Sequence, residues 1–298
     1  MDTRPIIVGY DASPDSRAAL RWALDEADRE SLPVRLVHAF DWYVGPAVFA
    51  PGPSRSPDFE ARADVNAMLA YAADDARRTH PTVPVSAEVV EGPAQVCLRD
   101  ASIDAAMVVL GGRGTGGFAE LLIGSTAVSV SARAHCPVVV VRAGTDAASG
   151  EVVVGFDGSA CARLALGYAI EKAAACGAPL RIIQTWDPPP TRYYLEMAAD
   201  AIHANLDRFA QDWRQKFPEL SMSTELLIGG AAAHLVAASA TARLVVVGSR
   251  GRGGLGGTFL GSVGQELIHH AHCPVVIVRE LPARSTAQDP VVRPGVSS

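Results

Sequence analysis

The chain has 298 residues, a formal net charge of −6 and 49% hydrophobic residues. This length is sufficient for two ordinary domains, each with its own core. No apolar run approaches the roughly 20 residues of a membrane helix. We expect no secretory signal before the first strand-like run. The scattered basic residues argue against nucleic acid as a partner. The five cysteines are odd in number and lack C-x-x-C spacing, as is typical of reduced thiols. We therefore expect a soluble cytoplasmic protein without a membrane or nucleic-acid partner.

The chain is a tandem repeat of one long unit. Residues 6–13 (IIVGYDAS) return as residues 152–159 (VVVGFDGS), and residues 134–142 (AHCPVVVVR) return as residues 271–279 (AHCPVVIVR). Solenoid repeats are roughly 20–50 residues long, so this longer period indicates a duplicated domain. We expect domains at residues 1–143 and 151–280, a small polar linker at residues 144–150 and a disordered tail at residues 281–298.

Short aliphatic runs alternate with longer helical stretches in both halves. Ser13 and Pro14 supply the N-cap and first residue of a helix that runs to about Glu30, and a second helix carries an apolar stripe from Val65 to Ala76. The aliphatic runs are rich in β-branched residues without alternation, which is typical of strands buried on both faces of a parallel sheet. The predicted strands are residues 6–9, 34–40, 83–90, 106–110 and 137–142, then 152–155, 180–186, 222–228, 244–247 and 274–279.

This alternation predicts two tandem doubly wound, Rossmann-like α/β domains, each with a five-stranded parallel sheet. Two long connections rich in proline or glycine, at residues 43–57 and 187–191, follow the second strand of each half. Loops of that length are usually functional or mobile.

A glycine-rich loop follows the fourth predicted strand of each half. Both loops read G-x2-G-x9-G-S, from Gly111 to Ser125 and from Gly248 to Ser262. Open α/β sheets bind ligands beyond the carboxyl ends of their strands, where glycines let backbone N–H groups converge on an anion. Each loop ends at a predicted helix N-terminus, which favours phosphate. The pattern therefore predicts a polyphosphate site such as one for ADP or ATP.

Two other phosphate-binding signatures fit less well. No lysine follows the glycines, so the loops are not P-loops, and G-x-G-x-x-G comes after the fourth strand where a dinucleotide fold needs it after the first. A flexible surface turn is the simpler alternative for one loop alone. The same spacing at the same point of both halves argues against it.

The combined motifs resemble the ATP-binding class of universal stress proteins, an adenine-nucleotide α-hydrolase-like fold. The resemblance covers residues 6–142 and 152–279, and includes the acid that closes the first strand in V-G-x-D. It implies that the glycine loop wraps the ribose and phosphates, that the acid lies on the nucleoside and metal side, and that backbone at the end of the second strand meets adenine. The implied cofactor is ATP, with Mg²⁺ as a possible companion.

The resemblance assigns nucleotide contacts to matched positions in both halves. In the first half these are Gly9, Asp11, Ala39, Gly111, Gly112, Arg113, Gly114, Thr115, Gly116, Gly117, Gly124, Ser125 and Thr126. In the second half they are Gly155, Asp157, Thr185, Gly248, Ser249, Arg250, Gly251, Arg252, Gly253, Gly254, Gly261, Ser262, Val263 and Gly264. Gly112 stands where the second half has Ser249, and Thr115 where it has Arg252, so we expect a weaker phosphate site in the first half.

Several of these residues have simpler alternatives. Asp11 and Asp157 are also typical of helix caps, and Arg113 and Arg250 of solvated loop charges. The adjacent pairs His135–Cys136 and His272–Cys273 suggest metal ligands, but two neighbours without further ligands make a poor site. We therefore predict no metal bound directly by the protein and no catalytic residue. His38 has no counterpart in the second half, which has Gln184, and receives no role.

Three functional classes are compatible with this sequence. The first is a nucleotide-dependent regulator of stress response or growth, with an unknown protein partner. The second is a slow ATPase or phosphotransferase, which would need a general base and a cationic clamp; no duplicated base or lysine accompanies the loops. The third is a chaperone-like or structural role with vestigial sites. We favour the regulator, and the resemblance implies that the halves pair through residues 138–141 and 275–278 and that whole chains form a homodimer.

Overall fold

The computed structural model describes residues 3–40, 57–114, 124–144, 149–186, 195–252 and 260–280. The first half contains β1 (Ile6–Gly9), α1 (Pro14–Glu30), β2 (Val34–Phe40), α2 (Pro57–Thr79), β3 (Val85–Glu91), α3 (Ala94–Ala101), β4 (Met107–Gly111), α4 (Ser125–Arg133) and β5 (Val138–Val141). The second half contains β6 (Val152–Gly155), α5 (Ala160–Cys176), β7 (Leu180–Trp186), α6 (Leu195–Lys216), β8 (Met222–Ile228), α7 (Ala231–Ala238), β9 (Leu244–Gly248), α8 (Ser262–His270) and β10 (Val275–Val278).

All ten predicted strands are present, with small shifts at their ends. The third strand begins at Val85 instead of residue 83, because Pro84 has no N–H group to donate to a ladder. The fourth strand of each half continues into the first glycine of its loop, at Gly111 and Gly248. The connections at residues 43–56 and 187–191, linker residues 145–148 and the tail at residues 281–298 lie outside the described residues.

Matched N-caps begin the first helix of each half. The Ser13 hydroxyl accepts a hydrogen bond from the Ser16 N–H at 3.1 Å, and Pro14 occupies the first helical turn. The Ser159 hydroxyl accepts one from the Ala162 N–H at 3.2 Å. Each bond satisfies one of the free N–H groups of a helix start and stabilises it by about 1 kcal/mol. The predicted start of α1 is therefore confirmed.

The ten strands form one sheet in the order β3-β2-β1-β4-β5-β10-β9-β6-β7-β8. Neighbouring strands within each half are parallel. The halves join where β5 and β10 pair antiparallel, with Val139 opposite Val276. The expected pairing of the two halves through their closing strands is confirmed, and it covers edges that would otherwise be free to pair with another chain.

A hydrophobic core lies on each face of the sheet, and both cores continue across the seam between the halves. On one face, Ile6 and Val8 share a cluster with Val152 and Val154. On the other face, Ile7 shares a cluster with Val153. The strands are thus buried on both sides, as their sequence predicts. Within the described part of the chain, no helix combines the length and apolar character that a bilayer span requires.

Two arginines tie each half to a helix of the other. Arg142, just after β5, donates from Nη1 to the carbonyl oxygen of His269 at 2.8 Å, and Arg279, just after β10, donates to that of Ala132 at 2.5 Å. Both acceptors lie in the last turn of a helix, where carbonyl groups lack helical partners and the helix dipole favours a cation. The two contacts are equivalent, so the halves are related by an approximate two-fold axis.

A charge at the seam should separate the halves. Val139 and Val276 are fully buried and directly opposite each other, so Val139→Asp or Val276→Asp places an unpaired carboxylate in the shared core. We expect a loss of about 3–5 kcal/mol of unfolding free energy and a fall of roughly 10 °C in Tm. Ile228→Asp, on a strand but 68% exposed, is the matched control. Calorimetric melting curves that are alike for all three variants would contradict the seam.

Candidate functional site

A cavity of about 530 Å³ opens at the carboxyl edge of the first half. The ends of β1, β2 and β4 form its floor, and the N-terminus of α4 forms one wall. Residues of α1 and α3 complete the lining, which consists of Gly9, Tyr10, Asp11, Ser16, Val37, His38, Ala39, Ala94, Leu98, Leu110, Gly111, Arg113, Gly114, Gly124, Ser125, Thr126 and Ala127. The cavity therefore brings together the predicted acid, the end of β2 and part of the predicted glycine loop of the first half.

The first glycine of each loop allows a helix to approach the end of a strand. A Cβ atom on Gly111 would lie 2.7 Å from the Ser16 nitrogen, and one on Gly248 would lie 2.8 Å from Cys161 Cβ. Such distances exclude any side chain. These two glycines therefore have a packing role: they let α1 and α5 start directly against the base of the loop.

The two predicted acids contact the loops across the site. The carboxylate of Asp157 accepts from the Ser159 N–H at 2.9 Å through Oδ1 and from the Arg252 N–H at 3.0 Å through Oδ2. Asp11 accepts in the same way from the Ser13 N–H at 3.0 Å. The serines, and not the acids, are the helix N-caps. A cap role thus fails to account for these acids, which instead join the first strand to the loop.

The acids also explain the second glycine of each loop. A Cβ atom on Gly114 would lie 2.6 Å from Asp11 Oδ2, and one on Gly251 would lie 2.6 Å from Asp157 Oδ2. The carboxylate and the bare loop backbone therefore lie face to face in both halves. Any side chain at these glycines would push the acid out of its place.

Further hydrogen bonds hold the described ends of each loop in place. The Ser13 hydroxyl donates to the Arg113 carbonyl oxygen at 3.1 Å, and the Ser159 hydroxyl to that of Arg250 at 3.4 Å. The last glycine of each loop donates its N–H group back to the loop's second residue, from Gly124 to Gly112 and from Gly261 to Ser249, at 2.9 Å in both halves. The two ends of the loop are thus closed onto each other.

Each loop delivers a helix N-terminus to the site. Gly124 is the N-cap of α4 and Gly261 is the N-cap of α8, and neither makes a side-chain cap bond. The first N–H groups of these helices, next to the hydroxyls of Ser125 and Ser262, carry the partial positive charge of the helix dipole. An anion above the loop would meet both groups of donors.

One exchange distinguishes the two halves. In the first half the buried carboxylate of Asp15 accepts from the N–H groups of Arg113 and Ala143, each at 2.9 Å. Cys161 occupies the matching place in α5, and its Sγ lies 3.8 Å from the hydroxyl of Ser249. Gly112 lies opposite Asp15, where a Cβ would be 3.4 Å from the carboxylate and 3.0 Å from the Arg142 side chain.

This exchange alters the charge next to each loop. Arg113 Nε lies 3.6 Å from Asp15, which offsets its charge. Arg250 has no such acid in α5, since Cys161 replaces it. Arg252 adds a second cation, and its Nη2 atom lies 3.2 Å from where a Cβ on Gly158 would be. The described part of the second loop is therefore the more positive.

Two residues in the first-half cavity carry no sequence-based role. His38 lines it beside Ala39, with Nδ1 2.7 Å from the Tyr10 carbonyl oxygen, and Tyr10 is itself part of the wall. The signal that could have found His38 is its place at the end of β2, one residue before Ala39. Comparison of the two halves did not reveal it, because the equivalent residue of the second half is the buried Gln184.

The other predicted residues are outside the described part of the chain, pack against side chains or end a strand. Thr115, Gly116, Gly117, Gly253 and Gly254 are outside the described residues. Three more predicted glycines pack closely against side chains: a Cβ on Gly9 would meet Leu110 and Leu98, one on Gly155 would meet Leu235 and Val247, and one on Gly264 would meet Leu260 and Ile277. Ala39 lies in the cavity wall, and Thr185 ends the equivalent strand.

Hydrogen bonds and burial give the two His–Cys pairs a structural role. The His135 N–H donates to the Ser102 hydroxyl at 2.8 Å, and the His272 N–H to that of Ser239 at 2.9 Å. Burial raises the pKa of Cys136 and of Cys273 to about 12, so both thiols stay protonated and are poor metal ligands. Among the residues that the structure describes, no group of three His, Cys, Asp or Glu side chains is placed to hold a metal ion.

Comparison with known proteins identifies the family. The model of the universal stress protein family matches residues 2–142 and 150–279. A universal stress protein of Mycolicibacterium smegmatis is 33% identical over 286 residues, which are 92% of this chain and 96% of that protein. One of Mycobacterium tuberculosis is 31% identical over 288 residues, with the same coverage.

A solved structure shares the fold. The crystal structure of a universal stress protein from Archaeoglobus fulgidus covers 94% of this chain and 99% of its own, with a TM-score of 0.68 at 18% identity. The chain therefore belongs to the universal stress protein family and contains two tandem domains of that family.

Proposed function

We propose that this protein binds ATP, one molecule in each half, and acts as a nucleotide-dependent regulator in the cytoplasm. The observation that carries the proposal is a contact between an acid and loop backbone without a side chain. Asp11 lies against Gly114 and Asp157 against Gly251, and in both halves a Cβ on the glycine would be 2.6 Å from the carboxylate. A surface turn needs no such matched contact. A ligand that binds beside the carboxylate and the loop requires both groups in fixed places.

The residues of the first half fit the parts of a nucleotide. The apolar wall of Val37, Leu98 and Leu110 suits a base, and the backbone at Ala39 can donate and accept at its edge. Loop N–H groups and the start of α4 suit phosphates. Mg²⁺ would bind together with the phosphates, near Asp11. It would add positive charge, of which the loop itself has little.

The surroundings favour binding over turnover. An efficient ATPase needs a base within reach of the attacking water and a cation on the γ-phosphate. Asp11 and Asp157 already accept backbone hydrogen bonds. His38 lies at the end of β2, where we expect the adenine and not the phosphates. Gln184 replaces His38 in the second half. Slow hydrolysis remains the alternative function, with Arg250 or Arg252 as the cation.

The two halves should differ in affinity. Gly114→Glu or Gly251→Glu adds a side chain and a negative charge at the place of the phosphates, and so leaves one working site in each variant. Because Asp15 offsets the charge of Arg113, we expect the site that survives in Gly114→Glu, in the second half, to bind ATP about tenfold more tightly than the other, a difference of roughly 1.4 kcal/mol. Calorimetric titration measures both dissociation constants.

A glycine with open space supplies the control for these variants. No atom lies within 4 Å of a Cβ placed on Gly230, so Gly230→Glu should bind two ATP molecules per chain like the unaltered protein. Full affinity at both sites in Gly251→Glu would refute the position of the phosphates. Equal affinities in the two single-site variants would refute the effect of Asp15.

We expect ATP to stabilise the chain measurably and to be hydrolysed only slowly. At 100 times the dissociation constant, bound ATP stabilises a site by about 2.7 kcal/mol, a rise in Tm of roughly 5–10 °C. We expect phosphate release below about one per minute, against roughly 1–100 per second for kinases. Scanning calorimetry and a phosphate-release assay measure the two quantities. Steady release above about one per second that Asp157→Ala abolishes would make the protein an enzyme.

A further inference from the structure

The first helices of the two halves, α1 and α5, contact each other at the same position of the repeat. Both α1 and α5 have 17 residues and start three residues after the matched acids Asp11 and Asp157. Glu26 and Lys172 each lie 15 residues after their acid, and so occupy the same place in the duplicated domain. The structure brings them into contact, with Lys172 Nζ 2.5 Å from Glu26 Oε1.

A position that touches its own equivalent lies on the two-fold axis. The closing strands show the same property, since Val139 and Val276 are equivalent residues of the repeat and lie directly opposite each other. In a true homodimer of one domain, a residue on such an axis meets an identical residue. In this chain the position carries opposite charges instead.

The ion pair is buried and has local support. The side chains of Glu26 and Lys172 are 3% and 8% exposed. Burial alone would raise the pKa of Glu26, but Lys172 and Arg29 bring it below its ordinary value. Burial alone would lower the pKa of Lys172, but Tyr168 and the acids Glu26 and Glu30 raise it. Both groups are therefore charged at neutral pH.

The charged residues that support the pair belong to the first half only. Arg29 and Glu30 contact Glu26 and Lys172 respectively, whereas the matching places in α5 are Ala175 and Cys176. Pairing of two second halves would therefore bury two lysines against each other without the acids that now surround Lys172. Pairing of two first halves would bury two copies of Glu26. Buried like charges in contact are strongly unfavourable.

We propose that the Glu26–Lys172 contact selects the partner at the seam: the first half accepts a second half and rejects the corresponding half of another chain. Stability alone does not explain a buried ion pair, because apolar residues of similar size often replace one without loss. The pair has a use that an apolar contact lacks, namely the exclusion of like-half assemblies. This inference is independent of nucleotide binding.

Cross-linking of a thiol on the axis tests the selection. In a like-half assembly Val139 would lie opposite Val139 of a second chain, at a separation that suits a disulfide; in the native pairing it lies opposite Val276. Full-length V139C is unfolded in denaturant, refolded at high concentration under mild oxidation and examined on a non-reducing gel. Three backgrounds are compared: unaltered, E26K/K172E and E26L/K172L.

The charge reversal E26K/K172E is the matched control, because it keeps opposite charges at the seam. We expect V139C alone and V139C with E26K/K172E to yield few covalent dimers. E26L/K172L allows like halves to pair and should raise the yield by roughly tenfold or more. Chains with Val139 intact report the background from the five native thiols. Equal yields in all three backgrounds, with each variant folded by its melting curve, would overturn the proposal.

A mixing experiment covers the case in which E26L/K172L fails to fold. E26K alone carries two lysines at the axis and K172E alone carries two glutamates, so neither variant has a complementary half of its own. Refolded together, the two chains should form a mixed dimer that neither forms alone, detected by light scattering after size exclusion. Absence of that mixed species would also overturn the proposal.

Discussion

The architecture of each site depends on the contact between a glycine at the end of a strand and the start of a helix. With no side chain on Gly111, the nitrogen of Ser16 comes within 2.7 Å of the place a Cβ would take. This contact brings the N-cap Ser13 close enough to donate to the loop and brings Asp11 across from Gly114. A methyl group on Gly111 would shift the helix, and the cap, the acid and the loop would move with it.

The seam between the halves imposes a second constraint. Ten strands form one sheet only because β5 and β10 are both apolar and both end their halves, so that each covers the edge of the other. Arg142 and Arg279 then satisfy helix carbonyl groups across the seam. The duplicated domain is therefore not two independent bodies on a linker. Its cores, its sheet and its helix ends are shared.

Much of this architecture could be predicted from the sequence, and the reason is periodicity. The two copies of each motif predict the duplication, the β-branched runs predict the strands, and Ser13 with Pro14 predicts the start of α1. Contacts between distant residues that differ in the two copies could not be predicted. The exchange of Asp15 and Gly112 for Cys161 and Ser249 requires knowledge that α1 meets the loop, and the Glu26–Lys172 contact requires the position of the axis. His38 was missed for a similar reason, since comparison of the copies favours what they share.

The antiparallel direction of the central strand pair also determines where the two candidate sites lie. Strands of one half run opposite to those of the other across β5 and β10, so the carboxyl ends of the two halves lie on opposite borders of the ten-stranded sheet. Gly111 and Gly248, at which the two glycine loops begin, consequently lie on opposite borders. A molecule bound at one border would leave the candidate site at the other border uncovered.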